Sequence, residues 1–196
     1  MSGEFDIVVA IDRDRGIARA GQIPWRLPGD VAHFKTLTRT TRASGTRNAV
    51  VMGRKTWDSI PDRLRPLLGR KNAVLTRQHQ LEVPGGVMCA SSLDRALAGL
   101  RIEQAHGDRP IERIFVIGGS EIYAEAVGKL GCRTIYLTRV DGSFDCDRFF
   151  PPFERDYQLI EVVCKERENG LAYGIEVWQR HGRRGRRARS RQGQPV

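Results

Sequence analysis

The residues best suited to chemistry lie in one short segment, residues 23–34, with the sequence IPWRLPGDVAHF. Asp30 and Phe34 are four positions apart, so both project from one face of the helix that we predict to begin at Asp30. Trp25 lies in the loop that precedes this helix. Two interpretations of Asp30 are open. It is either an acidic residue favoured by the helix dipole, or a buried acid that binds a flat, nitrogen-rich edge of a ligand.

Two predicted strand-to-helix turns carry groups that suit a phosphate. Gly53 is followed by Arg54, Lys55 and Thr56, which places two cations and a hydroxyl at a helix N-terminus. The 118–120 segment, Gly-Gly-Ser, offers exposed amides and lets the backbone approach a ligand closely. Each turn alone is also explained by ordinary turn geometry. Neither matches the P-loop or the GxGxxG fingerprint.

The two turns follow different strands, and ligands of α/β sheets lie beyond the carboxyl ends of parallel strands. The sequence therefore predicts one extended phosphorylated ligand that touches both turns. Arg77, just after another predicted strand, adds a cation near the same end of the sheet. Its alternative interpretation is an ordinary exposed arginine.

The elements that must position these residues are predicted from apolar runs and turn signals. We predict an α/β fold in a single domain, with a mixed, mainly parallel central sheet, flanking helices and a C-terminal antiparallel hairpin. Residues 12–22 are expected to form a mobile surface loop, and residues 168–170 the hairpin turn. The predicted strands span 5–11, 48–53, 72–76, 87–89, 114–117, 134–140, 157–164 and 171–178, and the predicted helices 30–38, 54–60, 92–98 and 120–129.

Composition restricts the class of protein. The chain has 196 residues, 40% of them hydrophobic and 29% charged, as expected for one globular domain. No apolar run approaches the roughly 20 residues of a membrane helix, and the N-terminus lacks the features of a signal peptide. We therefore expect a cytoplasmic protein. Its four scattered cysteines are expected to be free thiols, since no CxxC pair indicates metal or redox chemistry.

The net charge of +10 is concentrated at one end of the chain. Six arginines lie between residues 183 and 191, and without them the remainder carries +4. A residual charge of this size suits an anionic substrate or cofactor. We predict a folded domain over residues 1–180 and a disordered Arg-rich tail over 181–196. The tail is interpreted as a solvated appendage, or alternatively as a weak contact for nucleic acid or an acidic partner.

Four motifs in one chain resemble the dihydrofolate reductase family. They are IPWRLPGD at 23–30, VMGRKTWDSI at 51–60, GRKN at 69–72 and IGGSEIY at 117–123. They occur in the family's order, and with the flanking strands the resemblance spans nearly all of residues 5–178. It implies reduction of 7,8-dihydrofolate to tetrahydrofolate by hydride transfer from NADPH, in one-carbon metabolism, and no metal.

The resemblance also implies a substrate site organised around Asp30. This residue would be the sole acid in the pterin pocket and would accept hydrogen bonds from the 2-amino and ring N–H groups. A water admitted past Trp25 would protonate pterin N5. The other implied substrate residues are Val31, Phe34, Ile60 and Leu67 as apolar walls, Val8 and Ile117 as backbone carbonyls, Thr138 as the hydroxyl that holds Asp30, and Arg70 as the partner of the substrate's α-carboxylate.

For the cofactor, the resemblance implies contacts along the whole dinucleotide. The loop 16–22 would close over the nicotinamide and exclude water. The implied residues are Ala10 and Ile17 along the nicotinamide; Arg54, Lys55 and Thr56 at the phosphates; Thr76 and Arg77, with Arg54, at the adenosine 2′-phosphate; Leu75 at the end of the preceding strand; and Gly118, Gly119, Ser120, Glu121, Ile122 and Tyr123 at the pyrophosphate and the nicotinamide side.

Three positions depart from the family's pattern. Ile23 stands where many bacterial members carry Met or Leu, and residues 61–68 are longer than in the shortest bacterial forms, which weakens the assignment of Leu67. Ser91 stands where some members place a basic residue near the adenine. None of these departures touches Asp30.

Two other functions are compatible with parts of the sequence. A reductase of the riboflavin pathway would share the fold, but the Trp25/Asp30 pair suits a pterin. A basic nucleic-acid-binding module led by the tail would show salt-sensitive binding that is lost with the tail. It leaves the acid and both glycine turns without a role. We expect a monomer whose partner is a small-molecule substrate, with no membrane contact.

Overall fold

The computed structural model describes residues 4–78 and 81–182. Within this part of the chain the strands are β1 Phe5–Ile11, β2 Gly16–Ala18, β3 Arg47–Gly53, β4 Arg70–Leu75, β5 Met88–Ala90, β6 Ile111–Val116, β7 Cys132–Val140, β8 Arg148–Phe149, β9 Tyr157–Glu168 and β10 Leu171–Arg180. The helices are α1 Pro28–Arg39, α2 Arg54–Ser59, α3 Leu93–His106 and α4 Ser120–Gly128, with a 3-10 turn at Asp62–Leu64.

The central sheet has eight strands in the order β5-β4-β3-β6-β1-β7-β10-β9. Neighbours from β5 to β7 are parallel, whereas β10 is antiparallel to both β7 and β9. Strand β1 lies inside the sheet between β6 and β7. The predicted α/β fold, with a mainly parallel sheet and a C-terminal antiparallel hairpin, is confirmed.

Apolar residues fill both faces of the sheet, which explains the continuous apolar runs. In β3, Ala49 and Val51 belong to a core cluster that also contains residues of α3 and α4, such as Leu97 and Val127. The alternating Val50 and Met52 pack on the opposite face, in a cluster that includes Trp57 of α2. A parallel strand covered on both sides needs apolar residues at every position rather than at alternate ones.

The prediction that residues 12–22 form only a loop is wrong in part, because Gly16–Ala18 form a short strand of a small second sheet. Strand β2 pairs antiparallel with β8. Asp12, which is 1% exposed, accepts hydrogen bonds from the amides of Gly16 at 2.6 Å and Phe144 at 3.2 Å. The segment is therefore fixed by contacts with residues more than 120 positions further along the chain. No local sequence pattern predicts those contacts.

Several predicted boundaries also differ. Helix α1 begins at Pro28 rather than Asp30, with the proline in its first turn. Helix α3 runs on to His106 instead of ending near residue 98, and Gly107 follows as its C-cap. Of the two serines that precede α3, Ser92 is the N-cap, since its side chain accepts from the Arg95 amide at 3.3 Å.

All four cysteines lie in the described part of the chain and are free thiols. None of the helices in that part has the length and apolar character needed to cross a membrane. The predicted disorder of the Arg-rich tail concerns residues that, from 183 onward, lie outside the described ranges.

Candidate active site

Asp30 lies in the first turn of α1 and faces the sheet. The side-chain hydroxyl of Thr138, in β7, donates to Asp30 Oδ1 at 2.6 Å. Thr138 is 4% exposed and Asp30 is half-buried. Burial raises the pKa of the Asp30 carboxyl; the Thr138 hydrogen bond and His33 oppose this rise, and the charge of Glu168 adds to it. The acid is thus held in one orientation and is harder to ionise than an exposed aspartate.

Several residues predicted for the substrate site belong to one apolar cluster, which also contacts α1 through Leu37. Ile60, Leu67 and Ile117 pack against one cluster, together with Val8. Trp25 is buried beside Phe144, with ring centroids 5.2 Å apart. Of the predicted wall residues, the structure brings Ile60 and Leu67 into one apolar cluster, whereas Val31 is 63% exposed; Trp25 belongs to a different cluster.

Arg70, the first residue of β4, contacts helix α1 two turns beyond Asp30. Its Nη1 donates to Thr38 Oγ1 at 2.7 Å, and its Cζ lies 5.7 Å from the centre of the Phe34 ring. Burial, with a smaller effect from the neighbouring Arg39, lowers the pKa of the Arg70 guanidinium to about 10. The group remains a cation at neutral pH, and an anion beside it would relieve its repulsion with Arg39.

The segment that carries Arg70 is ordered by one buried amide side chain. Asn72 accepts from the Leu67 amide at 2.9 Å and donates to the Leu67 carbonyl at 3.0 Å. Gly69 has a φ of 77°, a conformation that glycine adopts readily. Together these contacts fix the positions of Leu67 and Arg70 relative to each other.

The two glycine turns are in direct contact. The amide of Gly53 donates to the carbonyl of Gly118 at 2.8 Å. A Cβ built on Gly119 would lie 3.3 Å from Thr56 Oγ1, and one built on Gly53 would lie 3.3 Å from Ile122 Cγ1. Side chains at these glycines would fill the space between the turns.

Helix-terminal amides are available at this junction. Neither Gly53, the N-cap of α2, nor Gly119, the N-cap of α4, supplies a side-chain capping bond. Two helix N-termini with uncapped amides, side by side, form a place that suits a pyrophosphate.

The cationic side chains predicted to bind the phosphates do not form one cluster around the glycine turns. Arg54 pairs with Asp58 at 3.4 Å, one turn along its own helix. Lys55 and Arg77 are exposed. Thr76 follows the buried Leu75, and its hydroxyl accepts from the Gln78 amide at 3.0 Å. Of the helix residues, Ser120 and Ile122 are half-buried, whereas Glu121 is exposed.

Tyr123 links the two halves of the site. Its hydroxyl donates to the Val8 carbonyl at 2.8 Å. Burial, assisted by the charge of Asp30, raises the pKa of the Tyr123 phenol, so it stays a neutral donor. The remaining predicted cofactor residues lie on the adjoining strands: Ala10 packs near Trp25, and Ile17 against the main core.

Sequence reasoning missed Asp12, His33 and Glu168. Asp12 orders the loop beside Ile17, and Glu168 accepts from the Gly29 amide at 2.9 Å. The partners of Asp12 and Glu168 include residues more than 130 positions away, so no spacing signal points to these contacts. The described residues contain no group of three or more His, Cys, Asp or Glu that could hold a metal ion.

The chain is thus an α/β protein with a mainly parallel sheet and two joined glycine turns at its carboxyl end, where ligands of such sheets bind. A family model described as dihydrofolate reductase matches residues 4–180. The chain belongs to the dihydrofolate reductase family, whose cofactor is NADPH.

Individual relatives agree with this assignment. Over 179 residues the chain is 44% identical to the bifunctional dihydrofolate reductase-thymidylate synthase 1 of Arabidopsis thaliana. This alignment covers 90% of this chain but only 34% of the relative. It is 34% identical to the dihydrofolate reductase of Aedes albopictus and 38% identical to that of Heliothis virescens, in each case over 90% of this chain and 97% of the relative. The chain therefore spans about a third of the bifunctional relative and nearly all of each insect one.

Proposed function

We propose that this chain reduces 7,8-dihydrofolate to 5,6,7,8-tetrahydrofolate with NADPH, in one-carbon metabolism. The observation that carries the proposal is the half-buried Asp30 carboxylate, which accepts a hydrogen bond from Thr138 at 2.6 Å. Such a group can accept paired hydrogen bonds from the 2-amino and ring N–H groups of a pterin.

Around Asp30, other side chains supply shape and charge complementarity to the substrate. Ile60, Leu67 and Phe34 would contact the faces of the pterin and p-aminobenzoyl rings. Arg70, a half-buried cation of β4 that lies against Phe34, would pair with the α-carboxylate of the glutamate tail. The carbonyls of Val8 and Ile117 would face the far edge of the pterin, with Tyr123 fixing the Val8 peptide.

The proton that the reaction consumes is assigned to water rather than to Asp30 directly. An anion at position 30 favours the protonated form of the bound pterin, whose N5 must gain a proton. Trp25, packed on Phe144, would limit the path by which water reaches N5. Burial already raises the pKa of Asp30, so the carboxylate binds a protonated ligand edge more strongly than an exposed acid would.

The fit of the cofactor is supported by the glycine junction. NADPH, when bound, supplies the hydride. The amides at the starts of α2 and α4 and the Thr56 hydroxyl would hold its pyrophosphate, and the missing Cβ atoms at Gly53 and Gly119 leave the necessary space. Arg54, Thr76 and Arg77 would meet the 2′-phosphate, and Lys55, Leu75 and residues 118–123 would complete the contacts along the cofactor, with Ala10 and Ile17 beside the nicotinamide.

The test is direct. Purified protein is mixed with NADPH and dihydrofolate, and the loss of reduced-nicotinamide absorbance is followed. Turnover that requires both compounds is expected. Consumption of NADPH with a riboflavin precursor, and none with dihydrofolate, would assign the site to a different reductase.

We further propose that the folded unit of residues 1–180 acts as a cytoplasmic monomer. The family match over residues 4–180 supports a single functional unit of that size. Sedimentation of the full chain at micromolar concentration would reveal a dimer, and activity after removal of residues 181–196 would test whether the tail is dispensable.

A further inference from the structure

The turn of the C-terminal hairpin is docked on the helix that carries Asp30. The N-cap of α1 is Leu27, which has no side-chain acceptor for the first helical amides. Glu168, the last residue of β9, fills this role: its carboxylate accepts from the Gly29 amide at 2.9 and 3.1 Å. The next residue, Asn169, donates to the Arg26 carbonyl at 2.9 Å.

Close approach at Gly29 makes this docking possible. A Cβ at position 29 would lie 2.4 Å from Tyr173 Oη and 2.8 Å from Glu168 Oε1. A side chain there would displace the Glu168 carboxylate and the Tyr173 hydroxyl from their places beside the Gly29 amide. Glycine thus allows the contact by which a segment 139 residues further along the chain caps the first turn of α1.

The groups that face Asp30 come from four elements. They are His33 on α1, Thr138 on β7, Glu168 and Cys164 on β9, and Tyr123 on α4. Glu168 is the only acidic side chain among them, and His33, three positions after Asp30, lies on the same side of α1. His33 also has a buried Nε2 atom that makes no hydrogen bond within the described structure.

We propose that Glu168 and His33 are positioning residues for Asp30. Glu168 fixes the first turn of α1 through the Gly29 amide and so brings a carboxylate to the residue that precedes Asp30, whereas His33 lies one turn further along the same helix. The balance of the two sets the pH at which Asp30 ionises, and hence the pH range of the reaction. The catalytic consequence rests on the proposed function, but the ionisation of Asp30 does not.

Charge and hydrogen bonding at position 168 can be separated by two substitutions. Glu168→Gln keeps an acceptor oxygen for the Gly29 amide and removes the charge, so thermal stability should stay close to that of the parent protein. Glu168→Ala also removes the acceptor and leaves the amide without a partner in the protein, so the melting temperature should fall. Equal melting temperatures for the Gln and Ala variants would overturn the capping role.

The charge effect is measured on the ligand-free protein by following the Asp30 side-chain carboxyl by NMR as pH is varied. The pKa of Asp30 should fall in Glu168→Gln, which loses a like charge, and rise in His33→Gln, which loses an opposite charge. Glu161→Gln is the matched control, because it removes the same charge from an exposed position of β9. It should leave the titration of Asp30 unmoved.

If the titration midpoint of Asp30 is unchanged in Glu168→Gln or in His33→Gln, the positioning role of the substituted residue is overturned. An equal shift in the Glu161→Gln control would overturn the local effect. If dihydrofolate is reduced, the pH profile of the hydride step should move in the same directions, with turnover above neutral pH lower by about threefold in Glu168→Gln, as expected for a modest charge interaction. Failure of turnover with intact NMR shifts would overturn the proposed function and leave the roles of these residues standing.

Discussion

Replacement of Asp30 by Asn should separate catalysis from stability. Asn keeps one oxygen that can accept the Thr138 hydroxyl, now 2.6 Å from Asp30 Oδ1, but it has no charge and only one acceptor atom. A charge-assisted hydrogen bond contributes about 1.5–3 kcal/mol, and an unpaired donor on the ligand adds to the loss. A total of about 2–4 kcal/mol corresponds to a decrease in kcat/KM of roughly thirty- to a thousandfold. The decrease should be larger near neutral pH than in acid, where the substrate arrives already protonated.

The same substitution should increase the free energy of unfolding at neutral pH. Burial raises the pKa of Asp30 above its ordinary value of 3.8 in the folded chain. Between the ordinary and the raised pKa, the folded state binds more protons than the unfolded state. The carboxyl of Asp30 therefore causes no loss of stability below pH 3.8, and the free energy of unfolding falls as pH rises through the folded pKa. Each unit of raised pKa corresponds to about 1.4 kcal/mol. Asn removes this penalty.

Turnover and urea unfolding of both proteins are measured over a range of pH that includes acid below the ordinary aspartate pKa and neutral solution. The Asn variant should be the more stable protein at neutral pH, and this advantage should disappear in acid. Parent-like turnover in the variant would remove Asp30 from the mechanism. A variant less stable than the parent at neutral pH would contradict the argument that burial of the charge is unfavourable.

Three further substitutions test other parts of the site. Arg70→Leu should raise the KM for dihydrofolate by about tenfold or more with little effect on NADPH, because it removes the cation for the glutamate carboxylate; an unchanged KM would refute this role. Arg77→Ala should narrow the preference for NADPH over NADH in steady-state kinetics, and an unaltered ratio would leave that arginine to the solvent. Asp12→Ala should lower the free energy of unfolding by about 3 kcal/mol, because it leaves the amides of Gly16 and Phe144 without their acceptor. Urea denaturation measures this change. A loss below about 1 kcal/mol, which is within the range of ordinary surface substitutions, would show that the loop does not depend on Asp12.

Some differences between prediction and structure have signals that were open to sequence reasoning. Proline is favoured in the first turn of a helix, so the start of α1 at Pro28 could have been read from the chain. After Gly99, which is a poor helix former, residues 100–106 are mainly helix formers, and Gly107 ends the helix.

Other contacts had no local signal. Three contacts connect segments more than 120 residues apart. They are the pairing of β2 with β8, the hydrogen bond from the Phe144 amide to Asp12, and the capping of α1 by Glu168. Short polar strands and single carboxylates are compatible with many partners, and only the folded chain selects one. The prediction for Val31 as a pocket wall stays a prediction, with the side chain exposed in this structure.

The amino-acid sequence by itself determined the sheet, because apolar runs covered on both faces have few other arrangements, and it located the acid and the two glycine turns, because few residue types can serve at those points. Tertiary structure decided how these parts meet. Three contacts depend on distances across the fold: the hydrogen bond between Gly53 and Gly118, the hydrogen bond from Thr138 to Asp30, and the contact of the hairpin with Gly29. Those distances are set by packing of the whole chain, which no local window of residues contains.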